Sequence, residues 1–463
     1  MVSYQKDMEF FKQQTKLQFK ELHYYPENYI KNLSKPDLEY LAKIENELGL
    51  NFWLIASSER TFLQERDFFH SFTSDEILSI IQSLTKFFYD FLNRVKPDFI
   101  LMQKTGENLS NFLLYNIAKS LKIKTLMLVE TRLADSFVIS DDLLISNLKN
   151  DFQKIKNSPL SKINEYGPEF IEKRALSQTV KSFESAEFGK STINQKISRY
   201  SKRFNTEPEP IYLNWGKTKS KMLKWRLQTP SELRIRENFL NKYSLNYIPN
   251  EKFVYFPLPV QPESQSYAWA PFHVNTFSII ENIAKSIPIS HLLFVKEHPG
   301  QKSKLWRPTE FYKKILALPN VRLINPNVNN FTMIAKSDLV LLINSSSGLE
   351  SLFFKKPVIV FSDVFYDVTS MVTKVEKIEE LPKLIKNSLS SFNFSSSELS
   401  FLIESIESNQ IVVPYWNMMK EFVILDSLQS HGKTKKTIDE FEKLFKKYDE
   451  SFSIMAHAYK KSL

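Results

Sequence analysis

The sequence predicts an α/β protein built around a parallel, doubly wound sheet. Between Phe253 and Phe361, short apolar runs typical of buried strands alternate with helical patterns at the spacing of consecutive βα units. Three of these runs end in polar clusters, at the sheet edge where open α/β sheets bind their ligands. The clusters are Gln261-Pro262-Glu263, Glu297-His298-Pro299 and Ser345-Ser346-Ser347-Gly348.

The elements of this sheet follow from local pattern. Helices are expected over Val274–Ser286, which stops before Pro288, over Phe331–Lys336, and over the run that carries Leu349–Phe354. The apolar runs predict strands at Phe253–Phe256, His291–Lys296, Val321–Ile324, Leu339–Ile343 and Val358–Phe361.

A second α/β unit is expected near the N-terminus. Residues 1–90 have a helical pattern, apart from one strand expected near Phe52–Ala56. A βαβ unit follows, in which a helix over Ser110–Leu121 connects strands at Phe99–Met102 and Thr125–Val129. Residues 141–248 are helical and charged, and the chain is mostly helical after Glu376. These changes of pattern divide the chain into residues 1–140, 141–248, 249–400 and 401–463.

Composition narrows the classes of function. A chain of 463 residues is too long for one ordinary core, so two domains are expected. With only 8 glycines and no Gly-rich motif, a bound phosphate must be held by hydroxyls, a histidine and backbone N–H groups. The lack of cysteine excludes disulfides, thiol catalysis and cysteine-ligated zinc. No signal peptide and no run of about 20 apolar residues is evident, so a cytoplasmic protein is expected.

The basic excess is concentrated in one segment, residues 190–236. This segment holds 12 Lys and Arg against 3 Glu, a net charge of +9, with Trp215, Leu223 and Trp225 interleaved. Basic residues interleaved with Trp and Leu suit an anionic membrane surface. A solvated helical insertion explains the pattern equally well. Nucleic acid is not expected as a partner, because no nucleic-acid-binding motif accompanies the charge.

The polar clusters suit a phosphate group. His298 ends a buried strand and can pair with a phosphate, although it can also satisfy the backbone of its own loop. Ser345, Ser346 and Ser347 precede a helix, where one serine can serve as the N-cap and three exceed that need. The expected ligand is therefore a nucleotide diphosphate or a nucleotide monophosphate–sugar.

Two of these segments carry a resemblance to a known family. The runs KEHP and SSSGLESLFFKKPVIVF, about fifty residues apart and preceded by FPLPVQPES, resemble the nucleotide-sugar domain of capsule polysaccharide biosynthesis proteins. The resemblance covers about 120 residues well, and LVETRLADSFVISDD resembles the family more loosely. The His-Pro and Ser-Ser pair is also similar to motifs of capsule Kdo transferases, bacterial sialyltransferases and teichoic-acid glycerophosphotransferases, which use CMP- or CDP-linked donors.

The resemblance implies a fold and a division of labour. It implies a GT-B-like fold, with two Rossmann-like domains facing a cleft, a helical insertion and a helical C-terminal tail that packs back across the domains. Residues 1–140 would bind the acceptor, a glycan or a lipid-linked glycan, and residues 249–400 would bind the donor. The donor would be a nucleotide-sugar, with a CMP-sugar favoured and UDP- and GDP-sugars still open. The basic segment would place the protein peripherally on the inner face of the membrane.

Site residues follow from the same resemblance. The donor's nucleotide and phosphate would contact His298, Pro299, Ser345, Ser346, Ser347 and Gly348, and Glu350 would accept hydrogen bonds from the ribose or stabilise the helix start. Substrate contacts would come from Gln261, Glu263, Glu130 and Arg132. Glu263 serves an interdomain salt bridge equally well, and Glu297 is expected to face away or to pair with a base. Catalytic candidates are His298 and the carboxylates Glu107 and Asp135, of which Asp135 can instead pair with Arg132.

No cofactor beyond the nucleotide-sugar is expected, and no metal. The seven histidines are scattered and no DxD motif stands at a strand end, which agrees with the metal-independent chemistry that GT-B enzymes generally use. Arg60 and Arg132 are further candidates for anion binding. Two rival functions remain: a polyol-phosphate transferase with a CDP-linked donor, and a non-catalytic scaffold on a membrane surface.

Overall fold

The structure is a computed structural model, and it describes most of the chain. The described residues are 8, 11–12, 18–24, 34–59, 62, 69–102, 109–133, 135–145, 147–159, 162–178, 218–261, 270–301, 307–429 and 435–463. Four sequence predictions fall outside these ranges: those on Arg60, Glu107 and Glu263, and that on the first part of the basic segment, residues 190–217.

A six-stranded parallel sheet forms the core of the C-terminal domain. Its strands are β4 (Phe253–Pro257), β5 (Leu292–Lys296), β6 (Val321–Ile324), β7 (Leu339–Leu342), β8 (Val358–Val360) and β9 (Val372–Lys374). They lie in the order β6-β5-β4-β7-β8-β9, and every pairing is parallel. This is the strand order of the doubly wound dinucleotide-binding fold, in which the chain reverses direction between its first and fourth strands. The reversal here falls between β4 and β7.

Helices cover both faces of this sheet, which explains why its strands are continuous apolar runs. Phe253 and Tyr255 of β4 pack into one hydrophobic cluster, and Val254 and Phe256 pack into the other. The second face is covered by α8 (Thr276–Ser286), α9 (Thr309–Leu316) and α12 (Leu381–Ser390). The first face is covered by α5 (Leu148–Lys156), α6 (Pro168–Gln178), α10 (Asn330–Lys336), α11 (Ser347–Phe353) and α13 (Ser396–Glu407).

The N-terminal sheet is smaller and mixed. Its strands β1 (Phe99–Met102) and β2 (Lys124–Glu130) are parallel and are connected by α4 (Leu109–Ser120), which confirms the predicted βαβ unit. Strand β3 (Ser136–Ser140) pairs antiparallel with β2, and β10 (Ile411–Val412) from the C-terminal tail pairs antiparallel with β3. The predicted α/β, GT-B-like class is therefore confirmed, whereas the expected N-terminal Rossmann-like sheet has antiparallel strands within the described residues.

Three helices pack beside this sheet: α1 (Leu38–Leu48), α2 (Phe52–Ser58) and α3 (Ser74–Val95). The strand predicted near Phe52–Ala56 is wrong, because this run forms α2. Asn51 caps the helix by accepting a hydrogen bond from the Leu54 N–H at 2.8 Å. Phe52 and Ala56, four residues apart, are both buried. This spacing fits the helical period of about 3.6 residues and the strand period of 2, so a run this short does not distinguish a helix from a strand.

The remaining helices lie outside the two sheets. α7 (Lys219–Tyr243) precedes β4, and α14 (Tyr415–Gln429), α15 (Lys435–Lys447) and α16 (Asp449–Lys461) follow β10. Ser136 Oγ of β3 donates to Gln410 Oε1 at 2.5 Å, and Phe137 of β3 packs against Tyr415. The tail thus returns to the N-terminal sheet after α13 has packed on the C-terminal domain. In the described part of the chain, no helix has the length and apolarity that a bilayer span requires.

Candidate functional site

Three loops meet at the carboxyl edge of the C-terminal sheet. They follow β4, β5 and β7, which are adjacent strands, and they carry Gln261, His298 and Ser345–Ser347 respectively. The chain reverses direction between β4 and β7, so this edge contains the crevice in which open α/β sheets bind ligands. The topology brings together the three clusters that the sequence singled out.

A buried ion pair supports two of the loops. Arg307 Nη1 donates to both oxygens of Glu297, at 2.7 and 2.9 Å, and both side chains are 2% exposed. The same carboxylate accepts from the Tyr312 hydroxyl at 2.7 Å and from the His298 backbone N–H at 2.6 Å. Arg307 also donates to the carbonyl oxygen of Pro259 at 2.6 Å. Glu297 therefore positions the loops, as the salt-bridge alternative predicted, and its partner is Arg307.

Gln261 has a supporting role as well, which corrects its assignment as a substrate contact. Its side chain is buried and donates to the carbonyl oxygen of Val274 at 3.1 Å, while its Oε1 accepts from Arg307 at 3.1 Å. Its backbone exchanges two hydrogen bonds with the side chain of Gln301, each 3.0 Å long. Both the donor and the acceptor of its amide are thus used in holding the loop.

The side chain of His298 is exposed, and its hydrogen bonding fixes its tautomer. The Gly300 N–H donates to Nδ1 at 3.0 Å, so in the neutral ring the proton resides on Nε2. A Cβ atom at position 300 would lie 3.1 Å from Nδ1, so a side chain there would require the imidazole ring to move by a few tenths of an ångström. Pro299 begins the short 3₁₀ turn that returns the chain beneath the ring. His298 can therefore offer an N–H to an anion at this edge.

The serine cluster is built into a polar network. Ser345 Oγ accepts from the Ser347 N–H at 3.2 Å, and Ser346 Oγ donates to Glu350 Oε1 at 3.2 Å. Asn330 of α10 donates to Ser347 Oγ at 3.3 Å and to Glu350 Oε2 at 2.9 Å. Ser345 and Ser346 are half-buried and Ser347 is buried. Ser345 and Ser346 are thus the two hydroxyls of the cluster that a ligand can reach.

Gly348 is required by packing. Its φ angle is not positive, but a Cβ atom there would lie 2.7 Å from Cζ of Tyr366 and closer still to the hydroxyl oxygen. The Tyr366 hydroxyl donates to the carbonyl oxygen of Ser345 at 2.6 Å. The ring can approach the serine turn in this way only because residue 348 has no side chain.

Glu350 is a carboxylate with opposing influences on its proton affinity. Burial raises its pKa, and the hydrogen bonds from Ser346 and Asn330 act against that rise, as do the charges of Arg132 and Lys296. This group can accept hydrogen bonds from a ligand hydroxyl, as the ribose assignment requires, or serve only to orient Ser346.

Lys296 is a charged residue to which the sequence motifs gave no role in the site. It is the last residue of β5 and is 4% exposed. Burial lowers its pKa to about 8, against the opposing effect of the Glu297 and Glu350 carboxylates. The sequence does contain a signal for Lys296, because it is a lysine at the end of an otherwise apolar strand. A buried lysine of this kind must lie near an opposite charge or a ligand.

The loop between β2 and β3 brings a cation from the N-terminal domain to this edge. Arg132 adopts a left-handed conformation with φ of +65°, and its charge acts on both Glu350 and Tyr366. The next residue, Leu133, is buried in the same hydrophobic cluster as Leu349 of α11. The loop therefore docks on the C-terminal domain beside the serine network, and backbone strain of this kind is often found at functional sites.

The two carboxylates of this loop differ in environment. Glu130 pairs with Arg132 at 2.6 Å and accepts from the Trp416 indole at 3.1 Å. The alternative in which Asp135 pairs with Arg132 is therefore wrong. Asp135 is half-buried, and burial together with the Glu130 carboxylate raises its pKa. Glu130 is thus held by Arg132 and Trp416, whereas the raised pKa of Asp135 makes its carboxylate a stronger proton acceptor than an exposed aspartate.

The arrangement suits transfer of a group from a phosphate. His298, Lys296 and the reachable serines can stabilise charge that develops on a leaving phosphate. Asp135, on the opposing domain, can accept a proton from an incoming nucleophile. Within the described ranges, no three His, Asp or Glu side chains are grouped as a metal site would require.

Comparison with known families supports part of this reading. Residues 185–384 match the model of the family described as "Capsule polysaccharide biosynthesis protein". This range includes His298 and the serine cluster, and it confirms the resemblance drawn from the KEHP and SSSGLE motifs. Protein FixF of Sinorhizobium fredii (strain NBRC 101917 / NGR234) is 28% identical over 127 residues, which are 26% of this chain. The match spans 29% of the length of that relative.

Solved structures give weaker likenesses. The β-Kdo 2,7 transferase of KpsC from Thermosulfurimonas dismutans is 15% identical, with 73% of this chain and 88% of that chain covered and a TM-score of 0.36. The UDP-GlcNAc 2-epimerase of Methanocaldococcus jannaschii, in complex with UDP-GlcNAc and UDP, is 17% identical, covers 73% and 83%, and has a TM-score of 0.28. The fold assignment rests on the strand order of this protein instead.

Proposed function

We propose that this chain, whose residues 185–384 match the capsule polysaccharide biosynthesis family, is a glycosyltransferase that uses a nucleotide-activated sugar. The observation that carries the proposal is the convergence of His298, Lys296 and Ser345–Ser346 at the switch point of a Rossmann-ordered sheet. Sugar transfer leaves a nucleotide phosphate behind, and that group needs cations and N–H or O–H donors where its charge develops.

The donor would lie on the C-terminal domain with its phosphate between the turns that follow β5 and β7. His298 Nε2–H and the Ser345 hydroxyl would donate to phosphate oxygens, and the Lys296 ammonium would neutralise their charge. Glu350 would accept a hydrogen bond from the ribose. No cofactor other than the nucleotide-sugar, and no metal, is required by this scheme, because the side chains supply the positive charge.

The acceptor would lie against the N-terminal domain. Asp135 is our candidate for the base that removes the proton of the attacking hydroxyl in an inverting reaction, and Glu107 is the alternative. Arg132 and Glu130 would orient the substrates beside Asp135. The acceptor would be a glycan or a lipid-linked glycan.

We also propose a cytidine nucleotide as the donor's leaving group. Support comes from the His-Pro and Ser-Ser pair, which resembles the motifs of transferases that use CMP- and CDP-linked donors. The comparison structures differ in their named activities, since one is a Kdo transferase and another is a UDP-GlcNAc epimerase. The preference for cytidine as the nucleotide base is therefore tested separately from the class of reaction.

The partner surface for a lipid-linked acceptor would be α7. A stripe of less exposed residues at heptad spacing faces the protein: Met222, Thr229, Leu233, Arg236 and Leu240. On the other side Leu223 and Leu227, one turn apart, are 44% and 71% exposed, and Lys224 and Arg234 are exposed near them. Apolar residues flanked by cations fit an anionic lipid surface. The protein would accordingly act in the cytoplasm, peripherally on the inner face of the membrane.

Product analysis separates the candidate functions. CMP-, UDP- and GDP-linked sugars and CDP-linked polyols would be incubated with the protein, with and without an acceptor glycan, and the products identified by mass spectrometry. We expect free or transferred sugar and a released nucleotide. Release of polyol phosphate would establish the teichoic-acid-type reaction, and absence of turnover with every donor would favour a scaffold.

Two variants connect the activity to the site. His298→Ala removes a charge-assisted hydrogen bond worth roughly 1.5–3 kcal/mol, so we expect turnover at saturating donor to fall by about tenfold or more. His457→Ala removes an exposed histidine of α16 and should leave turnover unchanged. Equal activity of the two variants would exclude His298 from the chemistry.

A further inference from the structure

Helix α7 contacts both domains, one at each end. Near its start, Lys221 Nζ donates to the carbonyl oxygen of Phe69 at 2.6 Å, and the Trp225 ring lies 6.4 Å from the Phe69 ring. Near its end, Arg236 Nη2 donates to the carbonyl oxygen of Gln301 at 2.8 Å. A single helix is thus attached to the N-terminal helical layer and to the loop that follows β5.

The point of attachment near the end of α7 is the His298 turn itself. The Gln301 N–H donates to the carbonyl oxygen of His298 at 3.0 Å, which closes the turn. The side chain of Gln301 holds the backbone of Gln261 on the neighbouring loop. Arg236 therefore binds the residue that closes the histidine turn and ties it to the β4 loop.

The C-terminal part of α7 does not pack tightly against the C-terminal domain. A pocket of about 80 Å³ lies between the helix and the C-terminal domain, lined by Leu233, Arg236, Gln301 and Tyr312 among others. Leu240 is buried farther along against Tyr312 and Leu323. Arg236, which is 4% exposed, makes a polar contact between helix and turn at the edge of this pocket.

Pro230 divides α7 between its two attachments. Proline lacks an N–H, removes one hydrogen bond from the helix and favours a kink. Lys221 and Trp225 precede it and Arg236 follows it. Any movement that is passed from the Phe69 contact to the Gln301 contact must therefore pass through Pro230.

We propose that Arg236 is a positioning residue for His298, and that α7 makes the geometry of the His298 turn depend on its contact with Phe69. The proposal rests on the proposed function in one respect, namely that His298 binds the donor phosphate. A displacement of the N-terminal domain would act through Lys221 and Trp225 on the helix and through Arg236 on Gln301. Donor binding and domain position would then be coupled by one helix.

Hydrogen exchange measured without nucleotide tests whether Arg236 positions the His298 turn. In the intact protein the amides of Gly300 and Gln301 are bonded within the turn, to His298 Nδ1 and to its carbonyl oxygen. We expect Arg236→Met to speed exchange in the peptide containing residues 298–301 by tenfold or more. The control is Arg234→Met, which removes the same charge from an exposed position of the same helix and should change exchange less than twofold. Equal protection in the two variants would overturn the positioning role.

A second variant keeps the test informative if Arg236→Met does not fold. Arg236→Lys retains the cation and one donor but loses the planar fork, so exchange should be intermediate. Nucleotide affinity is measured on the same proteins with CMP as probe, and Arg236→Met should bind it about tenfold more weakly. A loosened turn with unchanged CMP affinity would overturn the positioning of His298. Lack of CMP binding by the unmodified protein would instead count against the proposed donor, since exchange needs no nucleotide.

The double variant Lys221→Met, Trp225→Ala tests whether the His298 turn depends on the contact between α7 and Phe69. Both substitutions lie two or more turns away from Arg236, yet we expect the 298–301 peptide to exchange at least threefold faster. If exchange there is unchanged while Arg236→Met speeds it, the dependence on the Phe69 contact is wrong.

Discussion

At the scale of residues, the site depends on a few groups whose environment alters their chemistry. The motifs located His298 and Ser345–Ser347, because a histidine and three serines at strand ends are visible in sequence. They did not locate Lys296, whose burial and low pKa depend on the packing around the end of β5. Gln261 was misassigned for the same reason, since only the fold reveals that Gln301 and Arg307 occupy its polar groups.

If the donor phosphate binds as proposed, Lys296 should make its binding depend on pH. The protonated form of Lys296 would attract the phosphate, and its pKa of about 8 means that the cation is lost as pH rises above 8. We expect nucleotide affinity to fall up to about tenfold for each pH unit above 8, as one pKa unit corresponds to 1.36 kcal/mol. Calorimetric titration of CMP between pH 7 and 9.5 measures this. In Lys296→Met the affinity should be lower and flat over that range, and an unaltered slope would remove Lys296 from the site.

Gly348 gives a steric prediction. In Gly348→Ala the new methyl group would meet the Tyr366 ring, so the serine turn must shift and we expect a loss of about 1–3 kcal/mol in unfolding free energy. Urea denaturation measures the change. Adding Tyr366→Phe should recover part of it, because the hydroxyl is the nearest obstacle and the ring remains. If Gly348→Ala is as stable as the unmodified protein, the serine turn accommodates the methyl group and the steric prediction is wrong.

At the scale of elements, pattern predicted the parallel core well and the edges poorly. Strands β4 to β8 are buried on both faces and read as apolar runs, so their positions follow from sequence. β9 reads Val-Thr-Lys with only its first residue buried, and β10 has two residues, so neither forms an apolar run. α2 was mistaken for a strand because its seven residues permit either assignment. The docking of the Arg132 loop on the C-terminal domain depends on tertiary packing and has no local signal.

The exposed face of α7 gives a prediction on membranes. We expect the protein to bind vesicles that contain anionic lipid, and binding should weaken with salt because the attraction is screened beyond about 10 Å at 0.1 M. Lys224→Gln, Leu227→Ser should reduce co-sedimentation severalfold. The control variant Lys336→Gln removes the same charge from an exposed position of α10 and should leave co-sedimentation unchanged. Protein that stays in solution with anionic vesicles at low salt would leave α7 as a solvated connector.

At the scale of the whole molecule, a donor site at the sheet edge should let one nucleotide stabilise the folded chain. A ligand that binds only the native state raises its stability by about 2.7 kcal/mol at a hundredfold excess over Kd. We expect CMP or CDP to raise the melting temperature more than uridine or guanosine nucleotides at equal concentration. A clear preference for UDP or GDP would contradict the cytidine assignment and leave the donor site in place.

Hydrogen exchange in the presence of the best-stabilising nucleotide shows where on the chain that nucleotide binds. Exchange would be compared with and without saturating nucleotide across the chain. We predict that protection concentrates in the peptides containing residues 297–301 and 344–351, at the ends of β5 and β7, and that His298→Ala abolishes it at the same nucleotide concentration. Protection confined to other parts of the chain, or none at saturation, would contradict a donor site at this edge of the sheet.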